Sequence, residues 1–207
     1  MATKPFWEES YGRPGRLDTF GGGEPSAALV RFAARLAWGS RVLDLGCGEG
    51  RQALYLAKRG FDVSAVDISE AGIAKVRQWA AAEEVAVKAE VCDMRQYAFP
   101  VPFDLVVCHG CLHLVQRHEW MGVIRRMKEA TAPGGYNLVD AFTDEAPEPE
   151  DQRGLMVGLF HKGELLAQYD DWQVLERETY LLEHEHPGGP RHKHAGSSLV
   201  ARKPGPA

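Results

Sequence analysis

The chain has 207 residues, 44% of them hydrophobic and 26% charged; these are the proportions of a soluble globular domain with enough apolar material for a sizeable core. Lys and Arg number 24 against 29 Asp and Glu, a net charge of −5 with His neutral, and a field of that sign argues against nucleic-acid and anionic-membrane partners. No apolar run approaches the ~20 residues that cross a bilayer. The start Met-Ala-Thr-Lys-Pro-Phe-Trp lacks the apolar stretch of a secretory signal, and four cysteines are too few for a disulfide framework. The expectation is a cytoplasmic protein.

Residues 1–24 carry Phe6, Trp7, Tyr11 and Phe20 among Pro5, Pro14 and Gly21-Gly22-Gly23. A disordered tail would be poorer in aromatics, so this segment reads as an arm or lid ahead of one domain over 25–207. Leu29, Phe32, Ala33 and Leu36 recur at helical spacing after Pro25-Ser26, and Gly39 ends that helix. Arg41 to Leu45 is a short strand breaking into Gly46-Cys47-Gly48-Glu49-Gly50, and a helix runs on to Lys58-Arg59-Gly60. Phe61 to Val66 predicts strand two, closed by Asp67; Ser69 is the N-cap of the helix of Ile73, Val76, Trp79 and Ala80. Val85 to Val91 predicts strand three, closing on Cys92-Asp93-Met94, and Phe103 to Cys108 strand four.

A helix around Trp120, Ile124 and Met127 is stopped by Pro133-Gly134-Gly135, after which Tyr136 to Phe142 predicts strand five. Residues 143–153 are an acidic, solvated loop and Gly163 to Tyr169 a short helix. Two strand-like runs, Trp172 to Glu185 and Gly196 to Lys203, flank Pro187-Gly188-Gly189-Pro190. Alternation of strands and helices implies a doubly wound α/β sheet, here with a late antiparallel hairpin, and the crevice at the strands' carboxyl ends is the default ligand site.

The glycine turn departs from the dinucleotide fingerprint. Its third glycine comes two positions after the second instead of three, and Asp44 precedes it, an acid that repels phosphate and favours an ammonium or hydroxyl. Asp67, with Ile68 beside it, ends strand two, where a carboxylate can accept both ribose hydroxyls. Asp93 ends strand three with Met94 placed against an adenine face. Each acid alone also reads as a solvated loop acid or helix cap.

The string Val42-Leu43-Asp44-Leu45-Gly46-Cys47-Gly48-Glu49-Gly50 resembles motif one of class I S-adenosylmethionine-dependent methyltransferases. The resemblance implies a seven-stranded Rossmann-like sheet, mostly parallel with an antiparallel last strand, and S-adenosylmethionine as cofactor. It implies that Asp44 and the backbone of Gly46, Cys47, Gly48 and Gly50 face the methionine moiety. Asp67 with Ile68 would hold the ribose, and Asp93 with Met94 the adenine. A narrower likeness rests on Phe6-Trp7-Glu8-Glu9-Ser10-Tyr11, Pro25-Ser26, Gly163-Glu164-Leu165 and Leu199-Val200-Ala201-Arg202-Lys203. These look like the tellurite-resistance (TehB-type) methyltransferases, and thiopurine-type enzymes share the Trp-x-x-x-Tyr arm. Such proteins carry basic residues between the last two strands that bind an oxyanion. The positions here are His184, Arg191, His192 and His194, at a different spacing, with Tyr11 of the arm as a further substrate contact.

Methyl transfer from a sulfonium is an in-line displacement whose main demand is alignment with water excluded. A base helps where the nucleophile carries a proton. The end of strand four lies beside the methyl group in this fold, which makes His109 and His113 candidates for base or substrate contact, against a packing role. Cys108-x-x-Cys111 also reads as a redox pair or half a metal site. The histidines of the hairpin allow a metal site, an anion or substrate site, or a solvated tip; no metal is expected. The expected function is methyl transfer to a small nucleophile, a chalcogen oxyanion or a thiol. The alternatives are a carboxylate or amine acceptor, or a cofactor-binding protein without catalysis.

Overall fold

The computed structural model describes residues 6–15, 23–149, 152–185 and 191–205. Phe20, Gly21, Gly22 and the turn residues His186 to Pro190 lie outside the described residues, as do the side chains of Phe6, His184 and Arg191. Seven strands form one sheet of order β3-β2-β1-β4-β5-β7-β6. The chain divides into two compact units, residues 1–97 and 98–207. Among the described residues no helix is long and apolar enough to cross a membrane.

In the first unit, β1 (Arg41–Leu45), β2 (Asp62–Asp67) and β3 (Val87–Val91) pair in parallel. The Val-Leu-Asp-Leu run of β1 is buried throughout, as expected of a parallel strand covered on both faces. Ser26 caps α2 (Ala27–Ala33) by accepting from the Leu29 amide at 3.2 Å. This helix ends well before Gly39: the amides of Arg35 and Leu36 bond three residues back, to Phe32 and Ala33, and that tighter turn ends the α-helix. The glycine turn leads into α3 (Arg51–Lys58). Ser69 caps α4 (Glu70–Ala82), accepting from Gly72 N at 2.9 Å. Strand three begins at Val87 instead of Val85, because the Val85 amide closes the end of α4 on Ala80 O, beyond a left-handed Glu84. The arm contributes a helix, α1 (Phe6–Gly12), which packs on α4.

In the second unit, β4 (Phe103–His109) pairs in parallel with β5 (Thr131–Thr143), while β7 (Arg191–Arg202) runs antiparallel to both β5 and β6 (Gln173–Glu185). Helix α5 (Arg117–Ala130) buries Trp120, Val123, Ile124 and Met127, and Trp120 stacks on Phe160 at 4.0 Å. Two boundaries differ from expectation. Helix α5 stops before Pro133, where Thr131 Oγ1 donates to Met127 O, and β5 starts at Thr131 instead of Tyr136. The Pro-Gly-Gly segment is absorbed as a register jump, from Phe103 opposite Thr131 to Leu105 opposite Tyr136. A Cβ on Gly135 would lie 2.9 Å from Ala132 O and 3.0 Å from Asp104 O. Strand seven starts at Arg191, five residues before Gly196, so His192 and His194 lie within a paired strand. A 3-10 turn (Leu112–Leu114) and α6 (Glu164–Ala167) complete the unit.

Candidate functional site

In the first unit the glycine turn is fixed by backbone and carboxylate. Gly46, Gly48 and Gly50 adopt φ of 75°, 55° and 86°, a region open to glycine without strain. The amides of Gly46 and Cys47 both donate to Val66 O. Asp67 spans two elements: Oδ2 accepts from Gly48 N and Oδ1 from Ser69 N, each at 2.8 Å. Burial raises the Asp67 pKa, and the backbone donors oppose that rise. Each oxygen still has a lone-pair direction for a ligand hydroxyl. Next to it, Ile68 is 55% exposed, an apolar surface beside a carboxylate.

Asp44 lies beneath the turn, 1% exposed, and its Oδ2 has no hydrogen-bond partner among the described residues. Burial lifts its carboxyl from 3.8 to about 7, opposed by the Ala53 amide and the Arg51 charge. Burial likewise pushes the Cys47 thiol well up, and Asp44 and Asp67 add to it. Asp93 is gripped by its own neighbour: the Arg95 guanidinium reaches both carboxylate oxygens, and the Arg95 amide donates to Oδ1 at 2.8 Å. Met94 beside it is half-buried.

The arm meets the same turn. Glu8 accepts from Ala71 N at 3.1 Å and from the Ser69 hydroxyl, setting a negative charge at the N-terminus of α4. Tyr11 is buried, and a Cβ on Gly48 would lie 2.7 Å from its hydroxyl. Tyr11 therefore belongs with the glycine turn, and sequence reasoning missed the part played by Glu8. Its place in the quoted Phe-Trp-Glu-Glu string was the only signal.

In the second unit the expected residues form a stack. His113 is 2% exposed, its ring on Phe142 at 4.4 Å, and Phe142 stacks in turn on His194 at 4.4 Å and 2°. His192 meets His194 edge-on at 5.8 Å, and its Nδ1 lies 3.0 Å from Gln152 Nε2. His192 and His194 are both buried, at 3% and 4% exposure, which overturns the solvated-tip reading for these two. Their alternation with exposed Lys193 turns both imidazoles to one face of β7. His113 Nδ1 accepts from the Phe142 amide at 3.2 Å, so its ring proton sits on Nε2. Burial, then the neighbouring His194 and His109, push its pKa down to about 3. A ring held this way presents its Nε2–H as a donor.

His109 ends β4, half-buried, opposite Asp140 in the parallel register. Asp140 accepts the Tyr180 hydroxyl at 2.9 and 2.8 Å. Neither Asp140 nor Tyr180 was foreseen, although a lone acid inside the apolar run of strand five is a visible signal. Cys108 points inward, its sulfur 3.2 Å from that of Cys111. Among the described residues no group of three His, Cys, Asp or Glu side chains is placed to hold a metal.

A family model described as "Tellurite resistance protein TehB" matches residues 25–188. The chain belongs to the TehB family. Curated members of that family are described as probable S-adenosylmethionine-dependent methyltransferases. The chain is 32% identical over 175 residues to the "Probable S-adenosyl-L-methionine-dependent methyltransferase TehB" of Haemophilus influenzae, covering 83% of this chain and 60% of that one. It is 33% identical over 151 residues to "Hemagglutinin 1" of Eikenella corrodens, covering 73% and 50%. The crystal structure of TehB from Haemophilus influenzae superposes with a TM-score of 0.78 at 31% identity, over 86% of this chain and 62% of that chain. A methyltransferase structure from Methanosarcina mazei, at 19% identity and a TM-score of 0.71 over 88% and 100%, shares the fold. The chain thus spans half to three-fifths of the length of the curated relatives named here.

Proposed function

We propose that this chain transfers the methyl group of S-adenosylmethionine to a small nucleophile, a chalcogen oxyanion or a thiol. The observation that carries the reading is the glycine turn with its two carboxylates. A buried Asp44 oxygen with no partner among the described residues fits a cationic group, since ionising a buried carboxylate calls for an opposite charge. Asp67 sits at the strand end with lone pairs for the ribose hydroxyls, and exposed Ile68 offers an apolar face to the flat purine. Asp93 and Met94 would border the base, and the Gly46–Gly50 backbone the amino-acid end. When bound, S-adenosylmethionine supplies a methyl group on a cationic sulfur.

The chain's own residues position and deprotonate. Tyr11, against Gly48, closes the turn from the arm side and keeps water from it. His109 takes the proton of a protic acceptor. His113 through Nε2–H and His192, whose Nδ1 faces the Gln152 amide, present imidazole donors. Donors of that kind suit an anionic acceptor; Arg191 and His184 are assigned to the same role by their sequence positions.

The test is turnover: S-adenosylmethionine with tellurite, selenite, a thiol panel, carboxylates and amines, with S-adenosylhomocysteine formation as the readout. Product with an oxyanion or a thiol is the expected result. Product only with an amine or a carboxylate contradicts the acceptor class, and no product with any of them contradicts the transferase reading.

A further inference from the structure

Two thiols of the second unit have no part in the function described above. Cys108 is the last residue but one of β4, and Cys111 follows it three positions later, just before the 3-10 turn. Their sulfurs lie 3.2 Å apart, close enough for one S–H to donate to the other sulfur. The other two cysteines, Cys47 and Cys92, belong to the first unit, where their thiols donate to Gly48 O and Asp93 O. Within residues 98–207 each sulfur of the pair therefore has the other as its one possible disulfide partner.

The backbone between the two sulfurs suits closure of that gap. A disulfide bond is ~2.04 Å long, so from 3.2 Å the sulfurs must approach by about 1.2 Å. The segment is pinned on either side: Gly110 N donates to Asp140 O at 2.9 Å, and Leu114 N donates to Cys111 O at 3.1 Å. Gly110 itself has a φ of 73°, and beyond its chain neighbours no heavy atom lies within 4 Å of the place a Cβ would take. A left-handed glycine with open space beside it can turn to bring its flanking residues together. Exposure separates the roles of the two thiols. Cys108 is 0% exposed and Cys111 9%, so a reagent from solvent meets Cys111 first.

We propose that Cys108 and Cys111 are a reversible dithiol–disulfide couple that exchanges with low-molecular-weight disulfides, Cys111 as the entering thiol and Cys108 as the resolving one. In the first exchange the Cys111 thiol loses its proton and its sulfur attacks one sulfur of the small disulfide. The S–S bond of the reagent breaks, a mixed disulfide forms on Cys111, and the departing thiolate takes up a proton. In the second exchange the Cys108 thiol loses its proton and its sulfur attacks Cys111 Sγ, along the contact already in place. The mixed disulfide breaks, the Cys108–Cys111 bond forms, and the second small thiolate leaves and is protonated. The protein gives up two electrons and two protons, and the small disulfide takes up both to become two thiols. A reducing dithiol runs the sequence backwards. Neither a methyl donor nor a methyl acceptor enters the exchange, so its outcome is separate from that of methyl transfer.

The test is equilibration of the full chain with oxidised glutathione, followed by acid quenching, alkylation of the remaining thiols and mass spectrometry of the intact and the digested chain. In the parent, Cys108 and Cys111 are expected to lose alkylation together, to carry no glutathione, and to appear as one cross-linked peptide that dithiothreitol reopens. Cys108→Ser is expected to stop at the mixed disulfide, with one glutathione held on Cys111. Cys111→Ser is expected to leave Cys108 without glutathione. Full alkylation of both positions in the parent, a glutathione retained on Cys111 in the parent, or a cross-link from either to Cys47 or Cys92 overturns the proposal. Uptake of glutathione at Cys108 in Cys111→Ser overturns the assignment of Cys111 as the entering thiol.

Discussion

The two compact units build their sites from different materials. Residues 1–97 use backbone and carboxylate: a left-handed glycine turn tied to Asp67 through Gly48 N, and Asp44 beneath it, its Oδ2 without a partner among the described residues. Residues 98–207 use rings, with His113, Phe142, His194 and His192 in contact from the 3-10 turn and two strands. Burial acts on both, but it suppresses a negative charge in the first and a positive charge in the second. The Asp44 carboxyl is lifted to about 7, and the His113 imidazole is pushed down to about 3. Acid and alkali should therefore strain opposite halves of the chain.

The largest effect expected is at Asp44. Its folded pKa lies above the unfolded 3.8, so the folded state holds the extra proton, and stability falls as the pH climbs from about 4 through about 7. Asp44→Asn removes that dependence. In urea unfolding the variant should match the parent near pH 4 and exceed it at pH 8, by up to about 4 kcal/mol. A constant difference across that range would break the comparison on the carboxylate side.

At His113 the sign is reversed. The folded pKa lies below the unfolded 6.5, so the unfolded state binds the proton first and stability is lost as the pH falls below about 6.5. His113→Asn keeps an acceptor for the Phe142 amide and cannot titrate. Between pH 7 and pH 5 the parent should lose about 2 kcal/mol relative to this variant, measured by the same unfolding curves. Parallel curves would show that the ring's burial does not govern its protonation.

The arm's junction with α4 sharpens the comparison within the first unit. Ser69 accepts from Gly72 N and donates to Glu8, and Ser69→Ala should cost about 1 kcal/mol in thermal unfolding. That loss should not change with pH between 5 and 8, because the cap itself does not titrate in that range. A pH-dependent loss would tie the cap to Asp67 instead.

The same contrast explains what the sequence makes legible. The turn from Gly46 to Gly50, β1 over Arg41–Leu45 and the Ser69 cap are local features, each set by a few adjacent residues, and they were read at their places. The second unit resists because its contacts join distant positions. Gln152 meets His192, and Tyr180 meets Asp140, each across 40 residues. Imidazoles at alternate positions of β7 look like solvent-facing residues, since burial of His192 and His194 depends on rings that arrive from elsewhere. Pro133-Gly134-Gly135 carries the signature of a turn, and it became a register jump inside a strand once α5 had closed on Thr131. Glu8 lay in the quoted arm string without a role, because capping α4 requires a helix more than 60 residues away.

The claim beneath both halves is that an adenosyl sulfonium is held at the glycine turn by Asp67. Calorimetric titration of S-adenosylhomocysteine into the parent chain and into Asp67→Ala tests this most directly. The account predicts saturable binding to the parent, weakened in the variant by ~1–3 kcal/mol, the cost of leaving the ribose hydroxyls unmatched. No binding heat with the parent at any temperature tried, or equal affinity in the two proteins, would contradict it.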